Sequence, residues 1–160
     1  MLKRKVYQEL LKWKENTEGK ALYIIGARQI GKTTLIREFG KNEYEHFAEI
    51  NFVIDEKAAD IFNDKLTAEA IITNLTAYLQ TPLEPGKTLI LFDEVQECPA
   101  VRSAIKFLVE DGRFDYIEAG SLLGVRYKEV KSYPVGFEQI LPMYPLDFEE
   151  YLWANGVQDK

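Results

Sequence analysis

The sequence predicts an α/β protein, and three observations support this. An apolar run at 21–25 is followed by a glycine-containing segment at 26–33 and then by a helical segment at 34–39. A second apolar run, at 89–92 after Thr88, is followed by two carboxylates and is typical of a fully buried strand. Apolar residues at helical spacing lie between the predicted strands. In an open parallel sheet, ligands bind at the carboxyl ends of the strands, so function is expected at that edge.

The segment 26–33, Gly-Ala-Arg-Gln-Ile-Gly-Lys-Thr, fits the spacing of a phosphate-binding loop. Glycines let the backbone wrap closely around an anion, and the loop amides and the start of the next helix point at a β-phosphate. Lys32 can reach β- and γ-oxygens, Thr33 offers a hydroxyl to Mg²⁺, and Thr34 is placed for the α-phosphate. The residues expected to bind the nucleotide are Gly26, Ala27, Arg28, Gln29, Ile30, Gly31, Lys32, Thr33 and Thr34.

Two further segments are expected to complete the site. Asp93, at the end of its strand, is placed to hold Mg²⁺ through a water, and Glu94 to polarise the water that attacks the γ-phosphate. Ser121 leaves the next predicted strand, where it can contact the γ-phosphate or the attacking water. A helix N-cap for Leu122-Leu123 is the alternative role for Ser121.

Composition limits the classes of function. With 160 residues, one domain is expected, and a net charge of −6 argues against broad binding to nucleic-acid backbones. The single cysteine, Cys98, excludes an internal disulfide and favours a reducing cytoplasm. No apolar run approaches the ~18 residues of a membrane span, and no secretion signal is apparent.

The other elements follow from periodicity and turn signals. The helix after the loop is expected to stop at Gly40, and His46, the only histidine, is expected to be structural. Asp147 and Glu150 match the capping box of a last helix. The remaining predicted elements are an amphipathic first helix over 2–13, a strand at 46–53, helices at 58–62, 67–79 and 99–111, strands at 114–119 and around 140–143, and a mobile loop at 128–134.

Four segments together resemble a known family: 26–35 (GARQIGKTTL), 91–96 (LFDEVQ), 119–124 (AGSLLG) and 144–152 (YPLDFEEYL). They are similar to a poorly characterised group of bacterial and archaeal ATPases of the AAA superfamily, over essentially the whole chain. The resemblance implies a P-loop NTPase fold, a three-layer αβα sandwich whose five-stranded, mainly parallel sheet has the order 5-1-4-3-2.

The same resemblance implies roles for matching residues. Lys32 and Thr33 would contact phosphates and Mg²⁺, Asp93 would hold Mg²⁺, Glu94 would act on water, and Ser121 would be a sensor. Members continue into a C-terminal domain, so residues 1–160 are expected to form the N-terminal ATPase domain of a longer protein. Relatives often carry a basic residue just before Phe137. Arg126 is the nearest substitute for an arginine finger, with a solvated surface arginine as the alternative.

The main functional hypothesis is Mg²⁺-dependent ATP hydrolysis, with ATP and Mg²⁺ as ligands. The second is a slow nucleotide-binding switch that needs a partner, another subunit or the C-terminal domain. A nucleic-acid motor has only the basic residues of the first helix in its favour. A GTPase is disfavoured because no Asn-Lys-x-Asp segment occurs, and Glu94 directly after Asp93 favours water over a small-molecule phosphoryl acceptor.

Overall fold

The computed structural model describes residues 4–15, 19–27, 30–63, 65–121, 136–145 and 147–156. Within them, five strands form one sheet in the order β2-β3-β4-β1-β5, and every neighbouring pair is parallel. The strands are β1 Ala21–Gly26, β2 His46–Asn51, β3 Thr88–Asp93, β4 Asp115–Ser121 and β5 Glu138–Pro142. This order confirms the predicted one, and the sheet is entirely rather than mainly parallel.

Helices cover both faces of the sheet, as in the predicted three-layer sandwich. The α-helices are α1 Lys5–Glu15, α2 Lys32–Glu43, α3 Ala68–Leu79, α4 Ala100–Asp111 and α5 Phe148–Ala154. Two 3₁₀ helices, Glu56–Phe62 and Val95–Glu97, lie near the carboxyl ends of β2 and β3. β1 and β3 are buried along their whole length, which explains why both are continuous apolar runs in the sequence.

Each face of the sheet has its own apolar core. One core packs residues of α3, α4 and the first 3₁₀ helix against the sheet, with Phe92 stacked on Tyr116 at a centroid distance of 6.0 Å. The other packs α1 and α2 against the opposite face, around Leu10, Phe39 and Ile117. The sheet is therefore packed between two helical layers, which hold the carboxyl ends of its strands in fixed positions.

One prediction about α2 is wrong. The helix does not stop at Gly40 but continues to Glu43. The glycine is needed for packing rather than for termination, because a Cβ there would lie 2.2 Å from Cδ1 of Phe47 on β2. Gly40 thus allows α2 to lie close to the sheet, a contact that local sequence rules do not detect.

Other boundaries agree more closely with expectation. Thr67 caps α3 by accepting from the amide of Ala70, and Gly112, at φ 75°, ends α4. The capping box of Asp147 and Glu150 is present at the start of α5. β2 ends at Asn51, earlier than predicted, because the Asn51 side chain accepts from the amides of Val53 and Ile54 and turns the chain.

None of the helices in the described ranges is both long enough and apolar enough to cross a lipid bilayer.

Candidate functional site

The carboxyl edge of the sheet brings the predicted site residues together. Gly26, where the predicted phosphate-binding loop begins, pairs in register with Ser121 at the end of β4. Asp93, the last residue of β3, pairs with Ala119 of the same β4 strand. Segments far apart in the sequence therefore meet at one edge, as the parallel order of the strands requires.

Two glycines shape the loop for different reasons. Gly31 has φ 90° and precedes α2, whose first turn receives no side-chain cap. That helix start is therefore available to an anion. Gly26 is required by packing, since a Cβ would lie 2.5 Å from the carbonyl oxygen of Met143.

The ammonium group of Lys32 bonds to the first two residues of the loop. The residue is 8% exposed, and Nζ donates hydrogen bonds to the carbonyls of Gly26 at 3.0 Å and Ala27 at 2.7 Å. A buried ammonium held by neutral carbonyls fits a phosphate group well, because an anion offers it a stronger, charge-assisted bond.

A hydrogen bond joins the loop to β3. The Thr33 hydroxyl donates to Oδ2 of Asp93 at 2.7 Å, and Oδ1 of Asp93 accepts from the Glu94 amide at 2.9 Å. Burial raises the pKa of Asp93, opposed by the Thr33 bond, and the Glu94 charge raises it further. A hydroxyl and a carboxylate placed side by side are the hard oxygen donors that Mg²⁺ accepts, so this pair fits the ion.

Glu94 has a left-handed backbone conformation, with φ 57°, at the turn that follows β3. Its Oε2 accepts a hydrogen bond from Nε2 of Gln96, whose Oε1 in turn accepts from the Ser121 amide at 3.4 Å. Gln96 belongs to one of the segments that carry the family resemblance, but its role was not predicted, because its partners lie on different elements.

Arg4 is a second residue that sequence reasoning missed. Its guanidinium donates to the carbonyl of Ile30 in the loop at 2.9 Å, to the carbonyl of Tyr144 at 2.6 Å and to Oε2 of Glu150 at 3.1 Å. In the sequence Arg4 is one of several basic residues near the start of the chain, and nothing local distinguishes it from the others. In the structure it is only 9% exposed and fixes the loop against α5.

Two further predicted residues have positions that follow from these elements. Thr34 is exposed in the first turn of α2, and Ser121 is buried at the end of β4. Arg28, Gln29, Arg126 and the 128–134 loop lie outside the described residues, as does the Leu122-Leu123 segment that Ser121 was predicted to cap.

His46 lies at the opposite edge of the sheet, at the start of β2. Its Nε2 is 3.1 Å from Oε1 of Glu84, and the ligand atoms of Glu45, His46 and Glu84 lie within 4.8 Å of one another. The sequence did not predict this cluster. Lys87 Nζ already lies 3.5 Å from Glu45 and 3.7 Å from Glu84, so a protein cation balances their charge.

Comparisons with known proteins agree with this geometry. A family model described as an AAA domain matches residues 18–152. No curated protein sequence gives a significant match to the chain.

Two solved structures share the fold. A Thermotoga maritima RuvB variant has a TM-score of 0.52 and 16% identity, with 88% of this chain and 45% of that chain covered. The Pif1 helicase of Candida albicans has a TM-score of 0.54 and 14% identity, with coverages of 94% and 42%. This chain thus spans less than half the length of either protein.

Proposed function

Because the chain belongs to the AAA domain family, whose model matches residues 18–152, we propose that it binds ATP with Mg²⁺ and hydrolyses the bond between the β- and γ-phosphates. Its motifs further support membership of the bacterial and archaeal group described above. The nucleotide would lie along the loop from Gly26 to Thr34, at the carboxyl edge of the sheet.

The observation that carries this proposal is the hydrogen bond of 2.7 Å between Thr33 and Asp93. It places the first turn of α2 against the end of β3, beside an ammonium that is already buried in the loop. Both an ammonium and a carboxylate are buried at this edge although burying charged groups is unfavourable, and this favours a ligand that binds both.

The chain's own residues divide the chemistry between them. Lys32 would exchange its two carbonyl partners for phosphate oxygens, and Thr33 and Asp93 would hold Mg²⁺. The bound ion would neutralise charge on the phosphates. Glu94 would orient a water molecule and accept its proton, and Ser121 would contact the γ-phosphate from the end of β4.

Partners and location belong to the same proposal. This chain covers less than half of each of the two similar structures, so we propose a further domain or a second copy of the chain as the partner on which ATP hydrolysis acts. We place the activity in the cytoplasm, since a chain with a single cysteine, Cys98, forms no internal disulfide. The net charge of −6 does not favour nucleic acid as a ligand of this segment.

The experiment compares Glu94→Gln with Glu97→Gln, a matched change in an exposed residue three positions further on. We expect Glu94→Gln to bind ATP as the parent does and to lower the hydrolysis rate by about 10²-fold or more, because the base that orients water is lost. Glu97→Gln should hydrolyse ATP at the parental rate. Equal rates for the parent and Glu94→Gln would contradict the assignment of Glu94. A parent that binds ATP without turnover would contradict the ATPase.

A further inference from the structure

We propose that Gln96 is a positioning residue for hydrolysis, which links the carboxylate of Glu94 to the end of β4 so that the two move together. This inference rests on the proposed function for the role of Glu94. The link itself consists of hydrogen bonds within the protein, so it is testable apart from activity.

The bonds of Gln96 define the orientation of its amide. On one side lies the Glu94 carboxylate, which can only accept, and on the other the Ser121 amide, which can only donate. The side-chain nitrogen must therefore face Glu94 and the side-chain oxygen must face Ser121. If the Gln96 amide were flipped, its oxygen would face the Glu94 carboxylate and its nitrogen the Ser121 amide, and neither hydrogen bond could form.

The backbone of β4 lies close to the Gln96 side chain. A Cβ on Gly120 would lie 3.0 Å from Oε1 of Gln96 and 2.9 Å from the hydroxyl of Tyr23. A larger residue at position 120 would require the Tyr23 hydroxyl or the Gln96 amide to shift, whereas glycine leaves both in place. The Ala-Gly-Ser segment at the end of β4 therefore leaves space for the side chain of Gln96, which lies in the turn after β3.

A short rigid turn holds Gln96 in place. The Glu97 amide donates to the carbonyl of Glu94 at 3.0 Å, and the Cys98 amide donates to that of Val95 at 2.9 Å. Val95 is 1% exposed and anchors the turn in the core. Since the backbone around Gln96 is fixed, a movement of the β4 end would pass to Glu94 through the side-chain amide.

The bridge has a chemical consequence for Glu94. A carboxylate accepts at two oxygens, and the bond from Gln96 occupies Oε2. We assign the remaining oxygen, Oε1, to the attacking water. A contact between the γ-phosphate and the Ser121 segment would then reorient Glu94, so that the carboxylate is aligned only when a triphosphate is bound.

Two substitutions at Gln96 separate its two bonds. Gln96→Met keeps the length of the side chain and loses both bonds, whereas Gln96→Glu keeps the acceptor for the Ser121 amide and loses the donor to Glu94. Gln8→Met, in an exposed position of α1, is the matched control. We measure the hydrolysis rate, ATP affinity, thermal stability, and hydrogen exchange of the Ser121 amide without nucleotide.

We expect both Gln96 variants to lower kcat by about 10²-fold with ATP affinity within about twofold of the parent, the effect of a misplaced catalytic group. The Ser121 amide should exchange faster in Gln96→Met and at the parental rate in Gln96→Glu, and Gln8→Met should match the parent throughout. Parental kcat in Gln96→Met would overturn the proposal, as would parallel losses of kcat, affinity and thermal stability.

If the parent itself does not hydrolyse ATP, the proposed function fails and the exchange measurement decides about the bridge alone. Unchanged Ser121 exchange in Gln96→Met would then overturn the link. Faster exchange in Gln96→Met together with parental exchange in Gln96→Glu would support it.

Discussion

The hydroxyl of Thr33 lies 2.7 Å from Oδ2 of Asp93, although the two residues are 60 positions apart in the chain. The bond spans the gap between α2 and β3 and brings two oxygen donors to one point. It also connects the segment that would hold phosphates to the strand that would hold the metal ion.

The first prediction concerns Mg²⁺. Thr33→Val keeps the shape of the side chain and removes the hydroxyl, so Mg²⁺ should no longer strengthen ATP binding as it does in the parent. The loss should be about 10-fold or more, as when partners of a bound metal are removed. ATP affinity is measured with Mg²⁺ and again after a chelator has removed the ion. The affinity of Thr33→Val should fall below that of the parent only when Mg²⁺ is present.

Thr33→Ser is the matched control for this prediction, because it retains the hydroxyl. Its affinity should respond to Mg²⁺ like that of the parent. If Thr33→Val gained as much affinity from Mg²⁺ as Thr33→Ser does, the metal site would not include this hydroxyl.

The second prediction concerns Arg4 and Glu150. The Glu150 carboxylate accepts from the Arg4 guanidinium and from the amides of Lys5 and Asp147, and it is 6% exposed. Arg4→Met would leave a buried carboxylate without its cation, which typically costs about 3–5 kcal/mol in the free energy of unfolding. Urea unfolding measures this loss, and weaker ATP binding should accompany it, because Ile30 in the loop loses its donor.

Arg37→Met is the control for Arg4→Met. Arg37 pairs with Glu49 on the surface at 2.6 Å, and an exposed pair contributes only about 0–1 kcal/mol. A loss for Arg4→Met no larger than that for Arg37→Met would show that the buried pair does not hold the loop against α5.

The third prediction concerns the buried carboxyl of Glu118. The residue is 0% exposed, and neither of its oxygens has a hydrogen-bond partner among the described residues. Burial raises its pKa well above 4.5, and the approach of the Glu138 carboxylate raises it further. Arg102 opposes this effect only in part, since it forms its own ion pair with Glu138 at 2.5 Å.

This raised pKa fixes the sign of a pH effect on stability. The folded state holds the Glu118 proton more tightly than the unfolded chain does. The resulting stabilisation is complete below pH 4.5 and is lost as the pH rises through the raised pKa of the folded state. Glu118→Gln cannot ionise, so at pH 8 it should be more stable than the parent.

At acidic pH the gain from Glu118→Gln should disappear, because the parent's carboxyl is then also neutral. The measurement is urea unfolding at a series of pH values, with Glu110→Gln, an exposed change on α4, as the control. A gain that is independent of pH would contradict the titration of Glu118.

Sequence reasoning succeeded where the signal is local. The glycine spacing of the loop, the apolar run before Asp93 and the capping box of α5 each lie within a few neighbouring residues. Each also has a direct physical cause: a backbone that turns at Gly31 with φ 90°, a strand buried on both faces, and helix amides that need an acceptor. The strand order came from the family resemblance, because no local pattern specifies which strands are neighbours.

The features that sequence reasoning missed depend on contacts between segments that are distant in the sequence. Arg4 meets Glu150 across 146 positions, and a basic residue near a chain start gives no sign of such a partner. Gly40 looks like a helix stop, but the ring of Phe47 on the next strand needs the space beside it. Gln96 is one polar residue after a strand, and its importance becomes visible only when Ser121 is placed beside it.

The central claim is that the loop binds an adenine nucleotide together with Mg²⁺. Calorimetric titration of the purified chain with ATP and Mg²⁺ tests this directly, with Lys32→Ala as the comparison. We predict saturable binding by the parent and none by Lys32→Ala at millimolar ATP. A parent that is folded but takes up no ATP, or a Lys32→Ala variant that binds it equally well, would contradict the claim.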